Sequence, residues 1–595
     1  MGSNHSRPDI TGLRTRDQVR QRIRKGIDQY GFHGHVFAVT ASGFFTDSYI
    51  LFATNVILPS LAFVYWPSAT GSDLWRETLI NSVTLGGSFL GQIIFGYLTD
   101  RFGRTRLYGV ELVIVIMSTI AFATGGSGYD QSLNILAWFG ITRFFQGVGI
   151  GAEYPMSAVL CAEWASTQAR ARMMAAVFLM QPVGQLVAQL VGLAVLEGYN
   201  NTYNIEDCTA RSMGSQHCGR YIDSIWRLVI GLGAIPALLS IYYRFRIGDP
   251  GLYELDVKDR GYQAIINTIE IYPEEPGDVM QEMAEVGDGA GSNNDDNQED
   301  DARSELDDPL PVQFSSHDII DYFWTQGNWR SVAGTSLCWF LLDLAFYGIG
   351  INSPRTLAKI WTDRPVPQDS LDKIATWNTN AAHPEYGIYQ VLRENAVYNL
   401  ATVCIGSVIG SILLILIIDY VPRKQFLTYS FLWLAALFII TGGSFFAVFH
   451  NDLHGITIVL IALCHFSLNL GPNTLTFIIP AEIFPTRYRA TCHGIAAAAG
   501  KLGSVIITAL GWVFIVFGFV MALGAFFSWT WIPSVQHGRD PGNGFKIPSK
   551  TLEVLGEGLV RAKRDGEITT MGEHLQGAWS QLKKGLGLLR NKPRL

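Results

Sequence analysis

Twelve apolar stretches of roughly membrane-spanning length punctuate this chain and leave it little choice of fold. A helix needs about 20 mostly apolar residues to cross a bilayer. Runs of that order fall near residues 36–63, 79–99, 107–127, 134–162, 173–197 and 224–246, and again near 331–353, 395–418, 427–448, 454–479, 489–510 and 512–533. Charged residues make up only 16% of the chain, against roughly 25% in ordinary globular domains. The composition therefore excludes a string of soluble domains. It predicts an all-α membrane protein with 12 transmembrane helices in contact with the lipid bilayer.

The charges are segregated, and their placement orients the helices. Arg14, Arg16, Arg20, Arg22, Arg24 and Lys25 precede the first span, so the positive-inside rule puts residues 1–35 in the cytoplasm. This segment lacks the short apolar core of a signal peptide. Six spans over 36–246 return the chain to the same side. The intervening 198–223 loop then faces outward, where the acceptor sequence Asn200-Asn201-Thr202 is a glycosylation candidate. Cys208 and Cys218 in that loop are a disulfide candidate. Residues 247–328 form a cytoplasmic linker whose middle, 287–308, is acidic and predicted to be disordered. Residues 329–533 supply six more spans, with an outward loop at 354–394, and the polar tail from 534 to 595 is again cytoplasmic. Asp100-Arg101-Phe102-Gly103-Arg104 follows span two, and Asp419-Tyr420-Val421-Pro422-Arg423-Lys424 follows span eight. Matched acid-and-base turns in two six-helix halves predict a major facilitator fold, with the substrate site midway between the halves.

Polar residues inside the spans mark where that site lies. Asp343 sits in the middle of span seven, and Trp339, Asp343 and Tyr347 recur every four residues on one helix face. A carboxylate at that depth costs about 2.5–3.5 kcal/mol or more unless it faces protein or water. Asp47 is the acid of span one. Span four carries Arg143, Glu153 and Tyr154, with glycines at 147, 149 and 151 that allow close helix approach. On spacing alone, Arg143 and Glu153 form either a structural ion pair or a proton relay. Gln181 in span five either bridges helices or donates to an anion, the bridge being the simpler reading. Asn473 follows a Gly-Pro break in span ten. Lys501 lies well inside span eleven, which favours a counter-charge or anion site over snorkelling to the interface. Cys161, Cys338, Cys404, Cys464 and Cys492 read as small buried residues.

These stretches together resemble the phosphate:proton symporters of the major facilitator superfamily, which include fungal high-affinity phosphate permeases and plant root phosphate transporters. The resemblance is carried by Gly43-Phe44-Phe45-Thr46-Asp47-Ser48-Tyr49, by 143–155 and 339–347, by Gly471-Pro472-Asn473, by Pro480-Ala481-Glu482-Ile483-Phe484-Pro485, and by 491–501. It implies that Tyr154, Gln181, Trp339, Asp343, Tyr347, Asn473 and Lys501 line a phosphate pocket. It also implies that Asp47, Glu153, Asp343 and Arg143 serve proton coupling. Two departures stand out. Glu153 replaces the family's usual aspartate, and Ile50 occupies the place of a second span-one acid.

The chemistry of these residue types agrees. Lys501, Asn473, Gln181, Trp339 and the tyrosines can donate to phosphate oxygens, and an ionised Asp343 can accept from a P–OH group that sulfate lacks. The expectation is a proton-coupled importer of inorganic phosphate in the plasma membrane, with both termini cytoplasmic, the proton as coupling ion and no cofactor. A proton-coupled carrier of a phosphate ester such as a glycerophosphodiester, or a phosphate-sensing transporter-receptor, are the alternatives. No phosphate-cradling Walker loop and no metal or nucleic-acid motif appears, so an enzyme is not expected.

Overall fold

A computed structural model describes residues 16–30, 32–166, 169–208, 216–245, 248–258, 260–271, 314–350, 353–361, 374–447, 454–510 and 514–533. The acidic segment 287–308, the tail from 534 and the first 15 residues lie outside them. The described residues contain 12 helices long and apolar enough to cross a membrane. Spans one to six are Gly34–Tyr65, Trp75–Phe102, Arg104–Thr124, Ile135–Trp164, Arg170–Tyr203 and His217–Arg244. Spans seven to twelve are Trp329–Gly350, Ile388–Ile417, Arg423–Phe445, Gly455–Ile483, Arg489–Thr508 and Phe514–Trp531.

The span boundaries move mainly where polar residues continue a helix past the apolar run. Span five runs on through Asn200 to Tyr203 and stops at Asn204, which takes a left-handed conformation with φ 52°. The acceptor sequence at Asn200 is therefore helical rather than part of a loop, and its amide donates to Glu206 at 3.0 Å. Cys208 and Cys218 are joined by a disulfide. Span eight begins seven residues before the apolar run does, because Ile388, Val391 and Leu392 already bury one helical face.

Small residues set the tightest contacts inside the first half. Spans two and four approach backbone to backbone. A Cβ on Gly147 would lie 2.1 Å from the Thr84 carbonyl oxygen, and one on Gly151 would lie 2.2 Å from that of Ser88. Ser88 Oγ also donates to the Gly147 carbonyl at 3.0 Å. Gly149 faces span three instead, against Val115 and the Glu111 carbonyl. Gly147→Val is expected to lower stability by roughly 1–3 kcal/mol or more, since the carbonyl it meets is backbone and cannot rotate away. A drop in melting temperature and in monodisperse yield of detergent-purified protein checks this.

At one end of the bundle, called the inner end, the helix Arg16–Tyr30 packs on the short helices Gly251–Asp256 and Gly261–Ile271 and buries Val19, Ile23 and Ile27. Arg20 pairs with Asp256 of the short helix Gly251–Asp256 at 2.7 Å. Asp249 ties this layer to the turn after span two, accepting from the Thr105 N–H at 2.8 Å and from Lys258 at 2.8 Å. Burial alone would raise the Asp249 carboxyl, but the bonds from Lys258 and Thr105 hold it below the usual carboxylate value. The tether's contribution is thus complete above the ordinary carboxylate range and is lost as pH falls through the depressed value.

The matched turns seen in the sequence form matched networks at this inner end. Arg104 pairs with Asp100 at 2.9 Å and with Glu163 at 3.0 Å, and Arg489 from the other half reaches the same Glu163 at 2.7 Å. In the second half Arg423 pairs with Glu482 at 3.1 Å, and Asp419 pairs across the seam with Arg172. Asp100 also caps span eleven, accepting from the N–H groups of Ala490 at 3.2 Å and Thr491 at 2.7 Å. A carboxylate at a helix N-terminus satisfies N–H groups that lack an intrahelical partner.

Candidate functional site

Span ten breaks at Gly471, whose φ/ψ of −133°/−95° ends one helix, and Pro472 starts the next at its first position. Proline suits that position because its missing N–H has no intrahelical partner there. The break puts Asn473 in the first turn of a half-helix midway through the span. The positive end of such a half-helix favours negative charge.

From there a chain of contacts crosses the seam between the halves. Asn473 Nδ2 donates to Gln181 Oε1 at 3.0 Å and to Asn469 Oδ1 at 3.0 Å. Gln181 Nε2 donates onward to the Tyr154 hydroxyl at 3.4 Å. On span eleven, Lys501 Nζ donates to the Tyr347 hydroxyl at 2.8 Å and to Asp343 Oδ2 at 3.3 Å. Ser504 Oγ donates to the same carboxylate oxygen at 3.2 Å. The Lys501 ammonium sits 4.5 Å from the Tyr347 ring centroid and 5.1 Å from that of Tyr154. All seven residues expected to line the pocket are buried. Five come from the second half and two, Tyr154 and Gln181, from the first. The Gln181–Asn473 bond shows that the glutamine does bridge helices, and that the helices it bridges belong to opposite halves.

Towards the inner end this cluster is floored by six rings. Tyr154 and Phe44 lie 5.0 Å apart, Phe44 and Phe477 5.2 Å, Phe477 and His493 5.3 Å, and His493 and Trp339 5.5 Å. Trp339 closes the circuit back to Tyr154 at 6.4 Å, and Phe178 packs on both Phe44 and Phe477. His493 Nε2 lies 3.0 Å from the Phe477 carbonyl. A carbonyl only accepts, so this nitrogen carries the hydrogen.

The acids of the first half form a second cluster. Glu153 accepts from Arg244 at 2.7 and 2.9 Å, and the same guanidinium binds Glu111 and lies 4.2 Å over the Tyr108 ring. Asp47 is buried within electrostatic reach of Glu153, Arg244 and Glu111. Its Oδ1 has no hydrogen-bond partner among the described residues.

Arg143 is not part of this cluster. It bonds to Thr54 and Gln146 and lies 4.7 Å over the Phe122 ring. Ten residues of helix separate it from Glu153, about 15 Å along the axis. The ion pair of span four thus joins Glu153 to span six, not to Arg143. Neither Glu111 nor Arg244 stands out in the sequence, although both are charged residues inside predicted spans. Each lies near a span end, where a charge reads as solvated.

A model of the Major Facilitator Superfamily matches residues 40–508. The chain belongs to this superfamily. It is 34% identical over 503 residues to the repressible high-affinity phosphate permease of Neurospora crassa, covering 84% of this chain and 81% of that protein. It is 33% identical over 508 residues to the inorganic phosphate transporter PHO84 of Saccharomyces cerevisiae, covering 83% of this chain and 78% of that one. Among solved structures, the proton:xylose symporter XylE bound to 6-bromo-6-deoxy-D-glucose superposes with a TM-score of 0.61 at 17% identity. That match covers 88% of this chain and 99% of the XylE chain. Within the major facilitator superfamily the chain falls with the phosphate transporters, and the named relatives are transporters rather than enzymes. As a major facilitator protein it has its polar cluster where the two halves meet, with ion-pair networks at the inner end beneath it.

Proposed function

We propose that this protein imports inorganic phosphate across the plasma membrane together with protons, by alternating exposure of the cluster at the seam. One observation carries the reading. An ammonium, a carboxylate, two phenols and two amides from both halves converge at mid-membrane beside the N-terminus of a half-helix. Lys501, Asn473, Gln181, Tyr154, Tyr347 and Trp339 supply donors for a tetrahedral oxyanion, and Asp343 accepts a hydrogen bond from its P–OH group. Sulfate offers no such proton, and Asp343 repels it.

The second cluster supplies the coupling. One Arg244 guanidinium is shared by Glu111 and Glu153, with Asp47 nearby, so a proton arriving at any of the three acids changes how that positive charge is divided. The proton is the coupling ion, and this reading needs no cofactor. Arg143, away from these acids, holds spans one and four together through Thr54. The basic residues of the helix Arg16–Tyr30 at the inner end support a cytoplasmic inner face.

Uptake of radiolabelled phosphate in a phosphate-transport-deficient cell, at two external pH values and against a panel of anions, tests the proposal. Uptake is expected to rise several-fold at acidic external pH and to resist a tenfold excess of sulfate. Uptake that ignores the pH gradient defeats the coupling. Stronger competition by glycerophosphodiesters than by phosphate moves the substrate to an ester.

A further inference from the structure

The strongest feature that the transport reading does not use lies at the outer end of the bundle, away from the N-terminal helix. Residues 374–393, which run from the loop after span seven into the first turns of span eight, cross the seam and dock on the first half. The Thr376 N–H donates to the Ala69 carbonyl at 2.9 Å. Trp377 is 1% exposed and meets Phe63 of span one edge-on, ring centroids 5.3 Å apart. Further along, the Ile388 N–H donates to the Cys208 carbonyl at 3.2 Å. The Tyr389 hydroxyl donates to Glu197 at 3.0 Å, and Arg393 pairs with the same glutamate at 3.2 Å. In the helix Ser353–Trp361, Arg355 donates to both oxygens of Glu77 on span two, at 2.8 and 2.9 Å, and to the Thr376 carbonyl at 2.6 Å.

The segment is prefolded rather than draped. Asn378 Nδ2 donates to the His383 carbonyl at 3.1 Å, the Asn380 N–H donates to Asn378 Oδ1 at 3.0 Å, and Thr379 Oγ1 donates to Asn395 at 2.9 Å. The anchors on Ala69, Phe63, Glu77, Glu197 and Cys208 all belong to the other half. A loop that served only its own bundle would have no reason to place its ion pairs and its buried tryptophan there. The halves of an alternating-access carrier must part at this end to admit a solute, and they cannot do so while these contacts hold.

We infer that residues 374–393 with Arg355 form an outer strap, a preassembled lid whose release from the first half opens the seam cluster to the outside. Trp377 in its socket and the Arg355–Glu77 pair are its two fasteners. The first excludes water and the second crosses the gap as a charge-assisted bond.

The test reads accessibility, so its outcome does not depend on which solute is carried. In the full chain, Cys161, Cys338, Cys404, Cys464 and Cys492 are replaced by alanine, the Cys208–Cys218 disulfide is kept, and Ser504→Cys places one thiol beside Asp343. Its reaction with a membrane-impermeant charged methanethiosulfonate is timed in right-side-out and inside-out vesicles. Glu77→Gln and Trp377→Ala are each expected to raise the labelling rate at least tenfold from the outer face, with less than twofold change from the inner face. Unchanged outer rates in Glu77→Gln, the conservative variant, overturn the strap even if Trp377→Ala fails to reach the membrane. Equal rises from both faces overturn it too, since they mean general loosening. Failure of the phosphate reading would show separately, as absent phosphate uptake with the labelling pattern intact.

Discussion

Asp343→Asn is expected to cut phosphate uptake at least 100-fold at equal surface abundance. The carboxylate is the only charge partner of Lys501 among the described residues, at 3.3 Å, and both side chains are almost wholly buried. Removing one member of a buried pair costs roughly 3–5 kcal/mol, because the other is left as an uncompensated charge. At about 1.4 kcal/mol per decade this is at least two orders of magnitude. The same substitution removes the acceptor for a phosphate P–OH group. A second variant separates the two losses. In Asp343→Asn combined with Lys501→Met the orphan charge is gone, so melting temperature should recover while uptake does not. Uptake that recovers in the double variant would show that the pair is a stabilising contact and not part of the site.

Arg244→Met is expected to be the most damaging single change in the first half. Its guanidinium is buried between Glu111 and Glu153, with Tyr108 beneath it and Gly43 against it. Deleting it leaves two buried carboxylates facing one another with no cation, a loss of roughly 3–5 kcal/mol. Thermal unfolding of purified protein should show a lower transition. Adding Glu111→Gln and Glu153→Gln removes the repulsion and should restore the transition. Proton-driven accumulation of phosphate should stay absent in that triple variant, while exchange of phosphate down its own gradient persists. Full accumulation in the triple variant would remove this cluster from the coupling.

Much of this architecture is legible in the sequence because membrane helices declare themselves by length and apolarity. The twelve spans and the paired turns at Asp100 and Asp419 follow directly. Trp339, Asp343 and Tyr347 share a face by spacing alone, and the structure keeps them so. What spacing could not give was partnership between distant helices. Arg143 and Glu153 lie on one span and invited pairing, yet each binds a residue from another helix. Arg244 sits at the end of span six, and only the packing of spans three, four and six around it makes it central. In the sequence the strap reads as an ordinary outward loop because its apolar content is low. Its anchorage rests on backbone bonds, one tryptophan and two ion pairs, none of which leaves a periodic signal.

The crossing of spans two and eleven has a mechanical consequence. Gly96 and Gly494 meet there with their Cα atoms close enough that a Cβ on either would lie 3.3 Å from the other, and a Cβ on Gly494 would lie 2.4 Å from the Gln92 carbonyl oxygen. Neither glycine carries a side chain, so at this point the two helices meet through their backbones. The two bundles bear on each other here as smooth backbone, and a rocking body needs a fulcrum of that kind: close enough to hold its place, plain enough to turn.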